Sequence, residues 1–270
     1  MRTIDLSKYQ AESGIVAAFK NLQGILSYGF SWYQSRKSQE ELIPILDSVL
    51  GNNFVLLRDI NIPKVNHPIP LVLIAPSGLY VINPKNISGY FRAEGKRWEK
   101  LGRNDEYELD PNNLIRETWL YTKTIEGYFK QHNFSVKMDR GIMIFVSPET
   151  SVESIRPRAR VIRADGIINF AREIATEKAI FSDIDLRTAL NLLTKPRLPK
   201  KPKKEVKEVP EEPKNIPAPK PSKFDENIEK IGQVTDRANF TRREWVIIGI
   251  LIALVILVLV ALITFVIFTL

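Results

Sequence analysis

The chain has 270 residues, a formal net charge of +8 and no cysteine. That length allows one ordinary domain with extensions, and the missing cysteines exclude disulfides and thiolate metal sites and agree with a reducing compartment. The excess charge invites a nucleic-acid reading, but positions 195–244 carry 14 Lys and Arg against 9 Asp and Glu, so +5 of the +8 lies in that stretch.

Residues 1–37 show no signal peptide, because Lys20, Asn21 and Gln23 interrupt the apolar run that begins at Ile15. Ile15, Phe19, Leu22, Leu26 and Phe30 recur at helical spacing, which predicts a helical arm. Phe30, Trp32 and Tyr33 form its aromatic anchor, packed on the domain or turned to a partner or membrane surface. Ser38 and Glu41 make an S-x-x-E capping box ahead of Leu42, Ile43, Leu46, Val49 and Leu50, so a helix is expected to start there. Pro44 should kink it, Gly51 close it, and 54–59 follow as a strand.

Residues 71–75 and 79–82 are almost wholly apolar and flank Pro76-Ser77-Gly78, the pattern of two strands buried on both faces and joined by a tight turn. Asn83-Pro84-Lys85 places one polar side chain and one cation at the end of the second strand. A hairpin is expected over 88–101 around Glu94-Gly95-Lys96-Arg97 and Trp98. Asp110 is a fitting N-cap for a helix entered through Pro111, with Ile115, Leu120, Ile125 and Phe129 on its apolar side.

Residues 141–147 read as another buried strand. In an extended chain Arg156, Arg158 and Arg160 share one side, suiting either phosphate contacts or a charged sheet edge that blocks unwanted pairing. Helices are expected over 167–174 and 183–193, the second capped by Asp183. The two histidines, His67 and His132, read as surface or capping residues rather than catalytic ones.

Beyond 195 the character changes. Eight of the 17 prolines fall in 195–223 among Lys and Glu, a composition that cannot bury enough surface to fold and predicts an extended tether. At ~3.1 Å per residue it reaches about 80–90 Å when stretched. Phe224, Ile228, Ile231 and Val234 recur at helical intervals. Residues 245–270 hold no charged side chain, and a helix of that length spans ~39 Å, ample for a ~30 Å hydrocarbon core. Arg242 and Arg243 flank its N-terminal end, which places the preceding domain in the cytoplasm of a tail-anchored, single-pass protein.

The run PLVLIAPSGLYVINPK followed by Asn86 resembles the core of the NERD family, the nuclease-related domain of the PD-(D/E)xK restriction-endonuclease-like superfamily. The PSG turn, the strand LYVI and Lys85-Asn86 carry the match, and the likeness extends in pattern over roughly 38–175. It implies an α/β fold, a restriction-endonuclease-like mixed sheet flanked by helices. By the family's spacing its Asp falls on Pro70 and its Glu on Asn83, so both carboxylates are missing and only Lys85 remains of the triad. The Asn-Pro-x-x-Gln of the family becomes Asp110-Pro111-x-x-Leu114, a third loss at the same cleft, and Glu40 is the counterpart of an acid on the first helix.

A two-carboxylate site holds Mg²⁺ through hard oxygen ligands, and Lys85 alone cannot do so. Between Asp59 and Glu94 the sequence contains no Asp or Glu. The expectation is a degenerate, non-catalytic domain with no metal or cofactor. Lys85, Arg156, Arg158 and Arg160 are its candidate nucleic-acid contacts, and DNA or RNA, the lipid bilayer and other membrane-associated proteins its partners. The alternative is a Mg²⁺-dependent nuclease in which Lys85 works with Glu40 or Glu94. The expected partition is a helical arm (1–37), the NERD-like domain (38–194), a flexible linker (195–244) and a transmembrane helix (245–270).

Overall fold

The computed structural model describes residues 1–8, 14–134, 136, 138 and 140–198. Its organising feature is the expected apolar hairpin. Strands β3 (Ile69–Ala75) and β4 (Gly78–Lys85) pair antiparallel from Ala75↔Gly78 to Leu71↔Ile82. Every residue of β3, and every residue of β4 up to Pro84, is buried. At about 1.5–3 kcal/mol for each fully buried aliphatic side chain, this hairpin is the main reservoir of hydrophobic stabilisation.

Around it lies a six-stranded mixed sheet in the order β1-β2-β3-β4-β8-β10. Strands β1 (Arg2–Asp5) and β2 (Val55–Ile60) are parallel to each other, and β2 is antiparallel to β3. On the other side β4, β8 (Ile142–Phe145) and β10 (Arg160–Ile162) run parallel. Side chains alternate between the faces, as a period of two requires. Leu56, Leu71, Leu73 and Ile82 meet Leu42 and Leu46 of α2 (Phe30–Asp47) and Phe170 of α4 (Ile167–Thr176). Leu57, Val72, Ile74 and Val81 meet Ile125 and Phe129 of α3 (Leu114–Gln131) and Leu193 of α5 (Asp183–Thr194). Helices thus cover both faces.

A second sheet, β7-β6-β5-β9, is built from β5 (Gly89–Glu94), β6 (Arg97–Leu101), β7 (Tyr107–Leu109) and β9 (Thr150–Ile155). Trp98 is fully buried there, stacked between Phe91 at 5.0 Å and Phe145 at 5.7 Å. The 88–101 hairpin therefore forms as expected and joins the main sheet through β8.

Several local expectations are corrected. The first residues are not part of a purely helical arm: β1 is a strand, and α1 (Gly14–Tyr28) follows it. No helix starts at Ser38. Gly29, at φ +85, closes α1 by donating to the Ile25 carbonyl at 2.8 Å, and α2 begins at once with Phe30 and passes through the expected 37/38 boundary. Ser38 is buried, and its hydroxyl donates back to the Gln34 carbonyl at 2.9 Å instead of capping a helix. Trp32 of the aromatic trio is buried, whereas Phe30 is exposed.

Asp110 does not cap α3. Its carboxylate accepts from the Asn112 amide two residues on, and Asn113 caps the helix through the Arg116 amide at 2.9 Å. Ser182, not Asp183, caps α5 in a capping box with Asp185. The arginine run is not one extended strand, for Arg156 takes φ +45 in a turn between β9 and β10.

Past α5 the chain is tied down once more. The Tyr128 hydroxyl of α3 donates to the Leu192 carbonyl and accepts from the Arg197 amide, each at 3.1 Å. Among the described residues no helix is long and apolar enough to cross a membrane. The expected linker beyond 198, the 224–234 amphipathic stretch and the 245–270 span lie outside the described residues.

Candidate functional site

The site stands where β4 runs out beside α3. Asn83 is completely buried, and Lys85 follows two residues later on the same side of the strand. Helix α3 crosses close to β8 because Gly141 lies at the contact: a Cβ there would sit 2.3 Å from the Thr122 hydroxyl and 2.9 Å from the Thr118 carbonyl oxygen. That approach delivers Glu117 to the end of β4.

The Lys85 ammonium lies 2.7 Å from the Glu117 carboxylate. The Asn83 amide donates to the same carboxylate oxygen at 3.1 Å and to the Thr118 hydroxyl at 2.9 Å, while Tyr121 donates to the other oxygen at 3.0 Å. Burial opposes the ionised form of Glu117. Lys85, with the donors Asn83 and Tyr121, outweighs it and holds the carboxyl below its ordinary value. Burial and the adjacent Glu117 together push the Tyr121 phenol well above the usual range, and Asp59 adds to the effect.

Asp59 belongs to a second polar group on the neighbouring elements. The ladder pairs Arg58↔Leu71 and Ile60↔Ile69 leave Asp59 facing Pro70, whose nitrogen has no hydrogen to donate. Asp59 is 1% exposed at φ +52. Its carboxylate accepts from Gln39 at 3.1 Å and lies 3.6 Å from Arg36. Gln39 in turn accepts from Arg58 at 2.7 Å, and Arg58 also reaches Glu40 at 3.2 Å and Asp5 at 3.9 Å. Burial raises the Asp59 carboxyl above its ordinary value despite Gln39, Arg36 and Arg58, which pull the other way.

The structure places Glu117 beside Asn83 and Asp59 opposite Pro70, and these are not the acids the sequence reading selected. Glu40 is committed to Arg58, and Glu94 lies in the second sheet beside Arg97 at 3.9 Å. The missed residue is Glu117, three positions beyond Leu114 on one helix face, so helical spacing from the lost Gln was the available signal. Asp59 was legible only through the register of β2 against β3. His132 fulfils the capping reading, its Nδ1 lying 2.9 Å from the Tyr128 carbonyl at the end of α3.

These groups do not suit a divalent cation. An ammonium already occupies the oxygen of Glu117 that faces Asn83, and the Asp59 carboxylate is enclosed by Gln39 and Arg36. Among the described residues no three His, Asp or Glu side chains are grouped to hold a metal ion. Two buried oxygens of these groups, Asn83 Oδ1 and Asp59 Oδ2, have no hydrogen-bond partner among those residues.

Of the other nucleic-acid candidates, Arg160 is engaged by Glu173 through both of its terminal nitrogens and lies over the Phe170 ring. Arg156 and Arg158 are exposed and stand apart from Lys85, on the turn beside the second sheet. No curated protein and no solved structure matches the chain. The family model described as NERD, nuclease-related domain, matches residues 31–146, from the start of α2 to the end of β8. The chain thus carries a nuclease-related domain over those residues.

Proposed function

We propose that this nuclease-related domain is non-catalytic and works as a binding module for nucleic acid or protein, held at the cytoplasmic face of a membrane by residues 245–270. The observation that carries it is the 2.7 Å pair between Lys85 and Glu117. A lysine that must meet a scissile phosphate is here neutralised from within, next to an amide where the family places a carboxylate. Phosphoryl chemistry needs charge stabilisation aimed at the transition state, and a cation already paired with an anion gives little of it. Membrane tethering raises the local concentration of the domain over the reach of its linker.

The test is an endonuclease assay on the full chain in uncharged nanodiscs, with DNA and RNA substrates and with Mg²⁺ or Mn²⁺. The expected result is no cleavage above buffer, with no Mn²⁺ binding by calorimetry. Metal-dependent cleavage that Lys85→Ala abolishes would overturn the reading and make Asp59 and Glu117 the working acids. Orientation is tested separately by protease protection in sealed vesicles, where the domain should be cut from the cytoplasmic side.

A further inference from the structure

Away from the Lys85 cleft, three segments converge at one corner of the second sheet. The Gly95 amide of the β5–β6 turn donates to Ile155 at 3.2 Å, and Arg158 donates its amide to the Gly95 carbonyl at 2.8 Å. The next residue of that turn, Lys96, is held to the start of α3, since the Asn113 side chain donates to its carbonyl at 2.9 Å. Asn113 caps the turn that carries Arg116, and Trp119 follows at i+3 on the same helix face. The Arg158 guanidinium lies over the Trp119 ring, 5.4 Å from its centre. Lys96, Arg116, Arg156 and Arg158 are thereby gathered from three separate stretches of chain.

All four are exposed, and none has an acidic partner within 4.0 Å among the described residues. Their neighbour Arg97 differs, since Glu94 and Glu99 both engage it. Arg156 is moreover held at φ +45, a conformation that costs a non-glycine residue energy. Like charges collected without counter-ions raise the energy of the unliganded corner, and an arriving polyanion relieves that repulsion. A guanidinium stacked on an indole adds a flat, cationic platform of the kind that nucleobases and sugars pack against.

We propose that this corner, Lys96, Arg116, Arg156 and Arg158 around Trp119, is a binding site for the backbone of a nucleic acid. It lies outside the Lys85 cleft, so the proposal stands whether or not that cleft can cut. A polynucleotide fits better than an anionic lipid surface. The cations are spread over three segments and can follow a linear chain of phosphates. The corner itself carries one exposed large apolar residue, Ile155 at 40%, whereas the more exposed Leu22, Leu26 and Phe30, which a bilayer surface would engage, belong to α1 and α2.

The probe is a fluorescein-labelled 20-nucleotide DNA, single- or double-stranded, titrated by anisotropy against the full chain in uncharged nanodiscs. With four phosphate contacts on a duplex, affinity should fall ~150-fold between about 50 and 200 mM salt. The double variant Arg156→Ser with Arg158→Ser removes two contacts, so the fall should shrink to ~12-fold. Lys96→Gln with Arg116→Gln should do the same from the other two segments, so a misfolded variant of one pair leaves the other as the test. Lys37→Gln, at an exposed cation of α2, should leave the salt response unchanged. Absence of DNA binding, or an unaltered salt slope in the folded double variants, would overturn the site. So would variants that lose association with phosphatidylserine vesicles while keeping DNA binding.

Discussion

The cleft at Lys85 and the corner at Arg158 both gather cations, but they differ in what faces each one. In the cleft and the adjoining Asp59 group, Lys85, Arg36 and Arg58 are each matched by Glu117, Asp59, Glu40 or Asp5. In the corner, four cations stand together with only an indole against one of them. Opposed charges in a partly buried setting hold elements in place, whereas unopposed surface charges are available to a ligand. On the proposed reading, the family's site position and the nucleic-acid-binding surface lie in different places.

The comparison makes contrasting demands on mutants. The largest effect should come from Arg58→Met, which removes the donor to the buried Gln39 and the shared cation of Asp5 and Glu40. A loss of about 3–5 kcal/mol in unfolding free energy is expected from chemical denaturation. Lys85→Met should cost less, about 1–3 kcal/mol, because Glu117 keeps Asn83 and Tyr121 as donors. A mutant as stable as the parent would mean that the cleft does not act as a structural tie.

Acid should expose the same tie. The Glu117 carboxyl is lowered in the folded protein, so its contribution is fully present above its unfolded value of 4.5 and is lost as pH falls through the lower folded value. The stability gap between the parent and Glu117→Gln should therefore be constant above that pH and close below it. Asp59 works in the opposite sense, since its carboxyl is raised and protonation relieves the burial of its charge. The smallest effect belongs to the corner: Arg158→Ser should alter stability by only about 0.5–1 kcal/mol, the worth of an exposed cation–π contact. A large loss of stability there would erase the distinction.

What could be seen in the sequence follows the range of the interactions. The β3–β4 hairpin is legible because its signal, two apolar runs around a Pro-Ser-Gly turn, is contained in 16 residues. The α2 start is not, because a good S-x-x-E box occurs in the middle of a helix whose true beginning is set by Gly29 and by the burial of Trp32. That Pro70 and Asn83 carry no carboxylate is legible. The acids beside them are not: Glu117 comes from a helix 34 residues from Asn83, and Asp59 from the paired strand. Likewise Arg156, Arg158 and Arg160 look equivalent along the chain, and only the turn at Arg156 and the position of Glu173 separate them.

The Tyr128 phenol, which receives the Arg197 amide and grips the Leu192 carbonyl, has a mechanical meaning. Tension applied at Arg197 is felt there, at a single hydroxyl borne by the same helix that supplies Glu117. Such a pull would be transmitted along α3 toward Lys85.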